Sequence, residues 1–456
     1  MKPFAALLAI ALAASALPAT AQEPAPVLTL SEALEIAREH NPAYRQALAG
    51  VAVAAADERR AWGSLLPTLG LGFTTSLTQS RVLTGTDEFG RPVRLDEASV
   101  FTRTATGQAI SLGSVTLFDG GARLREARAA RASASATRAG VEAEAVRLEA
   151  RIARSYYEAL RTERQIKLEE GLLESARDRL AATERLLRVA VSSPVDLLGA
   201  EIEVAQREQG AERARGEARK ARLALGEAMG VGREIPAALD AELPAVFDPA
   251  ALDADALVRG ALDTSPLLAQ MDGRRAAAEH RLRAARGARW PSVSVTPYAS
   301  RGVGAQGYDA LFDLNPRDQS YGMNFSVSLP LFNQFRTTYS VEQARAGRLG
   351  ADEDLRAGRL EIETRVRSAL IDLQNAHRTL LLAERAADLS RERVGMAQER
   401  YRLGGITFTE LQDVVDRTAA AEREALAARF EFVAARVELE ERAGVRLGDA
   451  APVEPR

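Results

Sequence analysis

Two carboxylates three residues apart, Glu410 and Asp413, open a stretch with helical periodicity, and that spacing puts both on one helix face. Grouped carboxylates attract cations and exchange protons, so this pair is the first candidate for chemistry. Thr407 stands three residues before Glu410, and Thr-x-x-Glu is also a capping box, in which the carboxylate closes the helix start. Ser193-Pro194-Val195-Asp196 has the same form, with proline at the first helical position. For Glu410 and Asp196 the capping and the cation-attracting roles stay open together. Asp413 lies one turn further in and has no capping role. Its alternative is an ordinary solvated charge.

Other groupings carry less. Gly302-x-Gly304-x-x-Gly307 spells a dinucleotide fingerprint, but no helix opens after it, so the phosphate-cradling geometry is missing. His40, His280 and His377 have no metal-ligand spacing, and neither Gly-x-Ser-x-Gly nor His-Glu-x-x-His occurs. There is no cysteine, which excludes disulfides, thiol catalysis and zinc–thiolate sites. The expectation is a protein without cofactor or metal, and not an enzyme. Sixty basic against 63 acidic residues give a net charge of −3 and no electrostatic case for a nucleic-acid partner.

The elements that carry the carboxylates occur twice. Asn41-Pro42 recurs as Ser265-Pro266 and Pro67 as Pro291, both 224 residues on. Phe118-Asp119 recurs as Phe332-Asn333, Ser193-x-x-Asp196 as Thr407-x-x-Glu410, and Gly230-Val231 as Gly444-Val445, all 214 on. Two constant offsets mean one duplicated unit with a loop ten residues longer in the first copy. The expected organisation is a signal peptide over 1–21, a first repeat over 22–231 with a β-hairpin at 67–118, a connector over 232–251, a second repeat over 252–446 with a hairpin at 291–332, and a tail over 447–456. The signal peptide is read from Lys2, the apolar run Phe4–Leu17 and Ala19-Thr20-Ala21.

Each copy begins with a helix interrupted at Asn41-Pro42 or Ser265-Pro266 and stopped by Pro67 or Pro291. Strands follow. Tyr321, Met323, Phe325, Val327, Leu329 and Leu331 alternate with small or polar residues, as do Leu69, Leu71, Phe73 and Leu77. Ala109–Leu117 changes phase between Leu112 and Val115, as a bulge would make it. Polar loops are expected near 79–107 and 302–319. Then come two helices of about 70 residues, each carrying a heptad seam. One is Ile152, Ala159, Ile166, Leu173, Leu180, Leu187; the other is Val366, Leu373, Leu380, Ala387, Val394, Tyr401. Tight turns at Val191-Ser192 and Gly404-Gly405 lead into shorter return helices.

Four strands with one apolar face, and nothing in sequence to cover it, fit a bilayer, with Tyr298 and Tyr321 bounding the outward face. Only a closed barrel satisfies every backbone group in lipid, and four strands cannot close. The chain is therefore expected to supply a fraction of a shared barrel. A small soluble sheet packed on the helix ends is the alternative.

Taken jointly, these features resemble the TolC family of outer-membrane efflux proteins. The resemblance rests on the duplicated plan, on Leu30-Ser31-Glu32-Ala33-Leu34 with Asn41-Pro42, and on Tyr401-Arg402-Leu403-Gly404-Gly405 with Glu410-Leu411-x-Asp413. It covers nearly the whole chain after the signal peptide. It implies a mainly α fold with a β-barrel portion: a homotrimer whose strands form one barrel in outer-membrane lipid and whose coiled-coil helices form a periplasmic tunnel. A periplasmic adaptor and an inner-membrane transporter are the implied partners. Glu410, Asp413 and Asp196 would then line the periplasmic tip with Thr407, and Tyr401 would be a constriction aromatic or a seam residue. The gate-locking arginine that a well-known relative has in its second turn falls on Ile406 here, and the lipidated cysteine of many relatives is absent. The expected function is the passive exit duct of a tripartite efflux system for small solutes. The exit duct of a type I protein secretion system, or a soluble periplasmic coiled-coil scaffold, are the alternatives.

Overall fold

The computed structural model describes residues 27–189, 192–240, 242–306, 308, 318–447 and 453–455. The expected signal peptide, Val191 of the first turn and positions 307 and 309–317 lie outside them. The helices are α1 (Leu30–His40), α2 (Pro42–Gly63), α3 (Ala122–Arg188), α4 (Pro194–Met229), α5 (Ala254–Thr264), α6 (Pro266–Gly287), α7 (Arg336–Arg402) and α8 (Phe408–Ala443). They come in pairs of equal length: 11, 22, 67 and 36 residues. At 1.5 Å rise per residue, α3 and α7 are each roughly 100 Å long. Among the described residues no helix is long and apolar enough to cross a membrane.

The strands are β1 (Val27–Leu28), β2 (Leu69–Thr86), β3 (Pro92–Leu112), β4 (Val115–Phe118), β5 (Ala238–Leu239), β6 (Ser292–Gln306), β7 (Asp318–Ser328), β8 (Val445–Leu447) and β9 (Val453–Pro455). The chain divides into two compact units. One comprises the described parts of Met1–Asn41, Leu148–Pro249 and Leu373–Glu438; the other is Pro42–Arg147, Ala250–Asp372 and Leu439–Arg456.

The first unit is helical. Ile152, Ala159 and Leu173 of the α3 seam are buried, and Leu373, Leu380 and Ala387 of the α7 seam are wholly so. Ile166, Leu180 and Leu187 are half-buried. β1 pairs in parallel with β5. The hydroxyl of the buried Tyr156 lies 2.9 Å from the Leu28 carbonyl oxygen and 3.2 Å from that of Asp240, tying this pair to α3. Burial pushes that phenol up to about 12.

The second unit contains the sheet. β2 pairs with β3, β3 and β4 in succession pair with one edge of β6, and β7 takes the other edge, all antiparallel. The break between Leu112 and Val115 is the phase change seen in the sequence. The spatial order is β2, β3/β4, β6, β7, and the outer edges of β2 and β7 have no partner among the described residues. Register puts Val293, Val295, Pro297 and Ala299 beside Val327, Phe325, Met323 and Tyr321. That face is apolar and exposed: Leu71 is 80% and Tyr321 82% accessible. The other face carries Gly70, Gly72, Thr74, Ser76, Ser292, Ser294, Thr296, Asn324, Ser326 and Ser328, small and polar apart from Tyr298.

Two expectations need correction. Residues 79–107 are not a loop: β2 and β3 run through them and close in a tight turn at 87–91. There the Asp87 carboxylate accepts from the Phe89 and Arg91 amides at 2.9 and 2.8 Å. The alternation fades beyond Gln79 although strands of 18 and 21 residues continue through it, because alternation appears in the sequence only where the two faces have different surroundings. Likewise 302–306 and 318–319 belong to strands. Tyr298 does not bound the apolar face, because it pairs with Gly322, one step out of phase with Tyr321. Its ring lies over that glycine, where a Cβ would stand 2.9 Å from Cζ.

At the strand-to-helix junctions the copies differ. Gly120 and Gly121 precede α3 with φ of 67° and 77°; their counterparts before α7 are Gln334 and Phe335, with φ of 58° and 64°. The left-handed region costs a residue with a Cβ roughly 1–2 kcal/mol, so the second copy keeps the geometry under strain. Gly120 has a packing reason as well, since a Cβ there would meet the Gly287 carbonyl oxygen at 2.4 Å.

The buried seam gives the first expectation. Leu373→Ala and Leu380→Ala, each at a position with no exposure, should lower unfolding free energy by about 2–5 kcal/mol apiece. Leu381→Ala, beside them but half exposed, should cost far less. Denaturant melts of the purified protein in detergent check the contrast. Equal losses would mean that the α7 seam is not the packed face.

Candidate functional site

All six sequence candidates lie in the first unit, at the α7–α8 and α3–α4 turns. α7 ends because Gly404 adopts φ 72°. The Gly405 amide donates to the Arg400 carbonyl at 2.8 Å and the Gly404 amide to Tyr401 at 3.0 Å, which is the Schellman arrangement. α8 then opens on a capping box. The Thr407 amide and hydroxyl donate to Glu410 Oε2 at 2.8 and 3.0 Å, and the Glu410 amide donates to the Thr407 hydroxyl at 3.2 Å. The backbone hydrogen bond from Thr407 holds the Glu410 carboxyl below its ordinary value. Asp196 does the same for α4: it accepts from the Ser193 amide at 2.9 Å and the Ser192 hydroxyl at 3.1 Å, and its carboxyl is lowered chiefly by the Ser193 backbone bond.

Tyr401 and Ile406 pack on a cluster of Ala397, Leu411, Val414 and Val415 that seals α7 against α8. The Tyr401 ring meets Phe408 edge-on at 6.0 Å. Phe408 in turn abuts α4, where a Cβ on Gly199 would stand 2.9 Å from its ring. Gly199 is the first-copy counterpart of Asp413. Asp413 itself is exposed on α8, paired with Arg417 at 3.0 Å. Both side chains are more than half accessible, so the pair contributes at most about 1 kcal/mol and opens readily. The structure thus gathers Tyr401, Ile406, Thr407, Glu410 and Asp413 around one turn, with Asp196 at the start of α4.

Above this turn lies a charge network that the sequence reading missed. Glu203, 2% exposed, receives Arg179 of α3 and sits 3.7 Å from Arg207 of α4. Arg207 also reaches Asp416 of α8. Nearer the middle of the helices, buried Glu169 of α3 accepts two bonds from Arg423 of α8, at 2.6 and 2.9 Å. A signal existed: Glu203 and Arg207 fall in phase with the buried stripe Ala200, Ala211, Ala214, Ala218. These side chains join the first copy's hairpin to the second through paired charges, beside apolar contacts such as Ala150 and Ala153 with Val437. Among the described residues no group of three His, Asp or Glu stands close enough to hold a metal ion.

A sheet apolar on one face with bare edges, and helices of roughly 100 Å, are the elements of the α/β-barrel class. The sequence matches the outer membrane efflux protein family over residues 33–231 and 257–445, and the chain belongs to that family. Solved structures agree in fold. A membrane protein from Pseudomonas aeruginosa is similar with a TM-score of 0.76 at 20% identity, over 91% of this chain and 93% of that one. The Vibrio cholerae outer membrane protein VceC gives 0.73 at 18%, over 91% and 96%. The open state of the Neisseria gonorrhoeae MtrE outer membrane channel gives 0.72 at 20%, over 93% and 90%. No curated protein matches the sequence.

The caps and the network make separable predictions. Ser193→Ala should cost about 1 kcal/mol, the usual worth of an N-cap hydroxyl. The native carboxyls of Asp196 and Glu410 are depressed, so their stabilisation is present above the ordinary carboxylate range and is lost as pH falls through the lowered native values. Glu203→Ala removes the buried carboxylate that Arg179 binds and leaves Arg207 with Asp416 alone, and should cost about 3–5 kcal/mol. Melts of each variant between pH 3 and 7 test this. A Ser193→Ala loss exceeding the Glu203→Ala loss would reverse the ranking.

Proposed function

We propose that three copies of this chain assemble into a passive exit duct of the outer membrane. The four-stranded sheets join edge to edge, β7 of one protomer beside β2 of the next, into a twelve-stranded barrel. The helices form a tunnel in the periplasm. The observation that carries this reading is the sheet itself. Its two outer edges offer unpaired backbone groups while one face is exposed and apolar. Lipid tolerates the apolar face only if the edges are closed. Family membership supplies the direction of traffic. The resemblance supplies the partners: a periplasmic adaptor and an inner-membrane transporter, which provides the energy for moving small solutes. No covalent step is involved.

At the tip the two carboxylates divide their roles. Glu410 is committed to its cap, as Asp196 is. Asp413 has only an exposed ion pair to give up, so it is the carboxylate that faces the pore and, in threefold symmetry, forms a ring. Arg417 follows one turn later and partly neutralises that field. Tyr401 and Ile406 hold the turn rigid behind it.

In detergent, light scattering should give a protein mass about three times that of the mature chain. A stable, detergent-independent monomer would overturn the shared barrel. In planar bilayers, multivalent cations added from the helical side should block current. Asp413→Ala should weaken the block, Arg417→Gln should strengthen it, and Glu410→Ala should matter less. Unchanged block in Asp413→Ala would leave that residue a solvated surface charge.

A further inference from the structure

The junction between β7 and α7 holds an apolar projection that nothing among the described residues covers. Leu331, Phe332, Phe335 and Tyr339 are 90%, 74%, 72% and 69% exposed. Phe332 and Phe335 stack edge to face with centroids 5.6 Å apart, so the projection has a fixed shape. It is held by a backbone that two side-chain-bearing residues, Gln334 and Phe335, enter in the left-handed region. The equivalent positions of the first copy are Gly120 and Gly121, followed by Arg125 where the second copy has Tyr339. Arg123 there is bound to Asp119 and to the Ser64 carbonyl, whereas its counterpart Thr337 bonds Asn333. One copy thus has a compact, glycine-built junction. The other keeps the same strained path and mounts aromatic side chains on it.

We propose that this projection is a membrane anchor that inserts into the leaflet nearest the helices and contacts anionic phospholipid there. Three observations commit it to lipid. First, it continues the apolar face of β7: Tyr321, Met323, Phe325 and Val327 run directly into Leu329 and Leu331, and then into the junction. Second, cations stand at the same end of the hairpin. The last rung of the β6–β7 ladder is Ser292 with Ser328, so the segments 289–291 and 329–336 leave the sheet side by side. They carry Arg289 beside exposed Trp290, and Arg336 beside Phe335; both arginines are exposed, with no ion pair among the described residues. An aromatic set just inside unpaired guanidinium groups matches an acyl boundary below a phosphate layer. Third, the direction is open. A Cβ on Gly121 would meet no atom within 4 Å, although adjacent Gly120 abuts Gly287. By the internal repeat, Phe335 points where packing against a neighbouring helix leaves room.

The proposal rests on the membrane reading of the strands, and the test separates the two. The two native tryptophans, Trp62 and Trp290, are replaced by phenylalanine, and a single reporter is introduced, either Phe335→Trp or Phe325→Trp. The full mature protein is reconstituted into phosphatidylethanolamine vesicles containing a fifth phosphatidylglycerol, with bromine on the acyl chains of one lipid or the other. Both reporters should emit to the blue of water and be quenched. For Phe335→Trp, brominated phosphatidylglycerol should quench more per molecule than brominated phosphatidylethanolamine. Adding Arg289→Gln and Arg336→Gln should abolish that preference. If Phe325→Trp is quenched while Phe335→Trp emits as in water, the anchor is wrong and the barrel stands. If neither is quenched, the membrane reading fails with it. A blue-shifted but unquenched Phe335→Trp means that another copy of the chain covers the site. A preference that survives loss of both arginines removes the anionic headgroup from the proposal.

Discussion

A strand edge in hydrocarbon is the constraint on which the rest depends. Each bare amide and carbonyl in lipid costs several kcal/mol, so a four-stranded sheet with one apolar face is an incomplete object wherever it is stable. The helical pairs answer a different demand. Around the α7–α8 turn they are sealed by apolar contacts among Tyr401, Ile406 and Leu411, and further along by buried charges such as Glu169 with Arg423. Apolar seams tolerate sliding by partial repacking. A bidentate charge pair in a poorly solvated seam does not, because half-broken it leaves an uncompensated ion. The two kinds of contact therefore divide the helices into stretches that can shift and points that hold or release as units.

Much of this was legible before any coordinates. The offsets of 224 and 214 located the helices because proline and glycine punctuate them: α5 begins 224 positions after α1, and α7 begins 214 after α3. The phase change at Leu112 read correctly because a break in period-two alternation is a break in the strand that carries it. The same rule misled beyond Gln79. It reports a difference between two faces, and a strand whose two faces have like surroundings shows none. Tyr298 misled for a related reason, since aromatic type marks a membrane boundary only when phase agrees.

The site was legible in its caps and less so in its charges. Thr407-x-x-Glu410 and Ser193-x-x-Asp196 are local patterns and fold locally. Glu203, Arg207 and Glu169 look like any other charges on an arginine- and glutamate-rich helix. Their burial is decided by side chains more than twenty residues away. Only the phase of Glu203 and Arg207 with the alanine stripe could have marked them, and alanine is too common here for that to stand out unaided. Asp413 was distinguishable from Glu410 because capping saturates one carboxylate and leaves the other to a single exposed arginine.

The matched helix lengths of the two copies have a consequence for how such a chain can change. Inserting or deleting residues in α3 alone would put its cap out of step with that of α7, and anything but a whole number of heptads would also rotate the seam off its partner. Drift in the helices is thus quantised and must occur twice, once in each copy. The hairpins are under no such rule. The first already exceeds the second by ten residues without disturbing a single helix terminus, so this is where the lineage can lengthen, shorten and diversify one residue at a time.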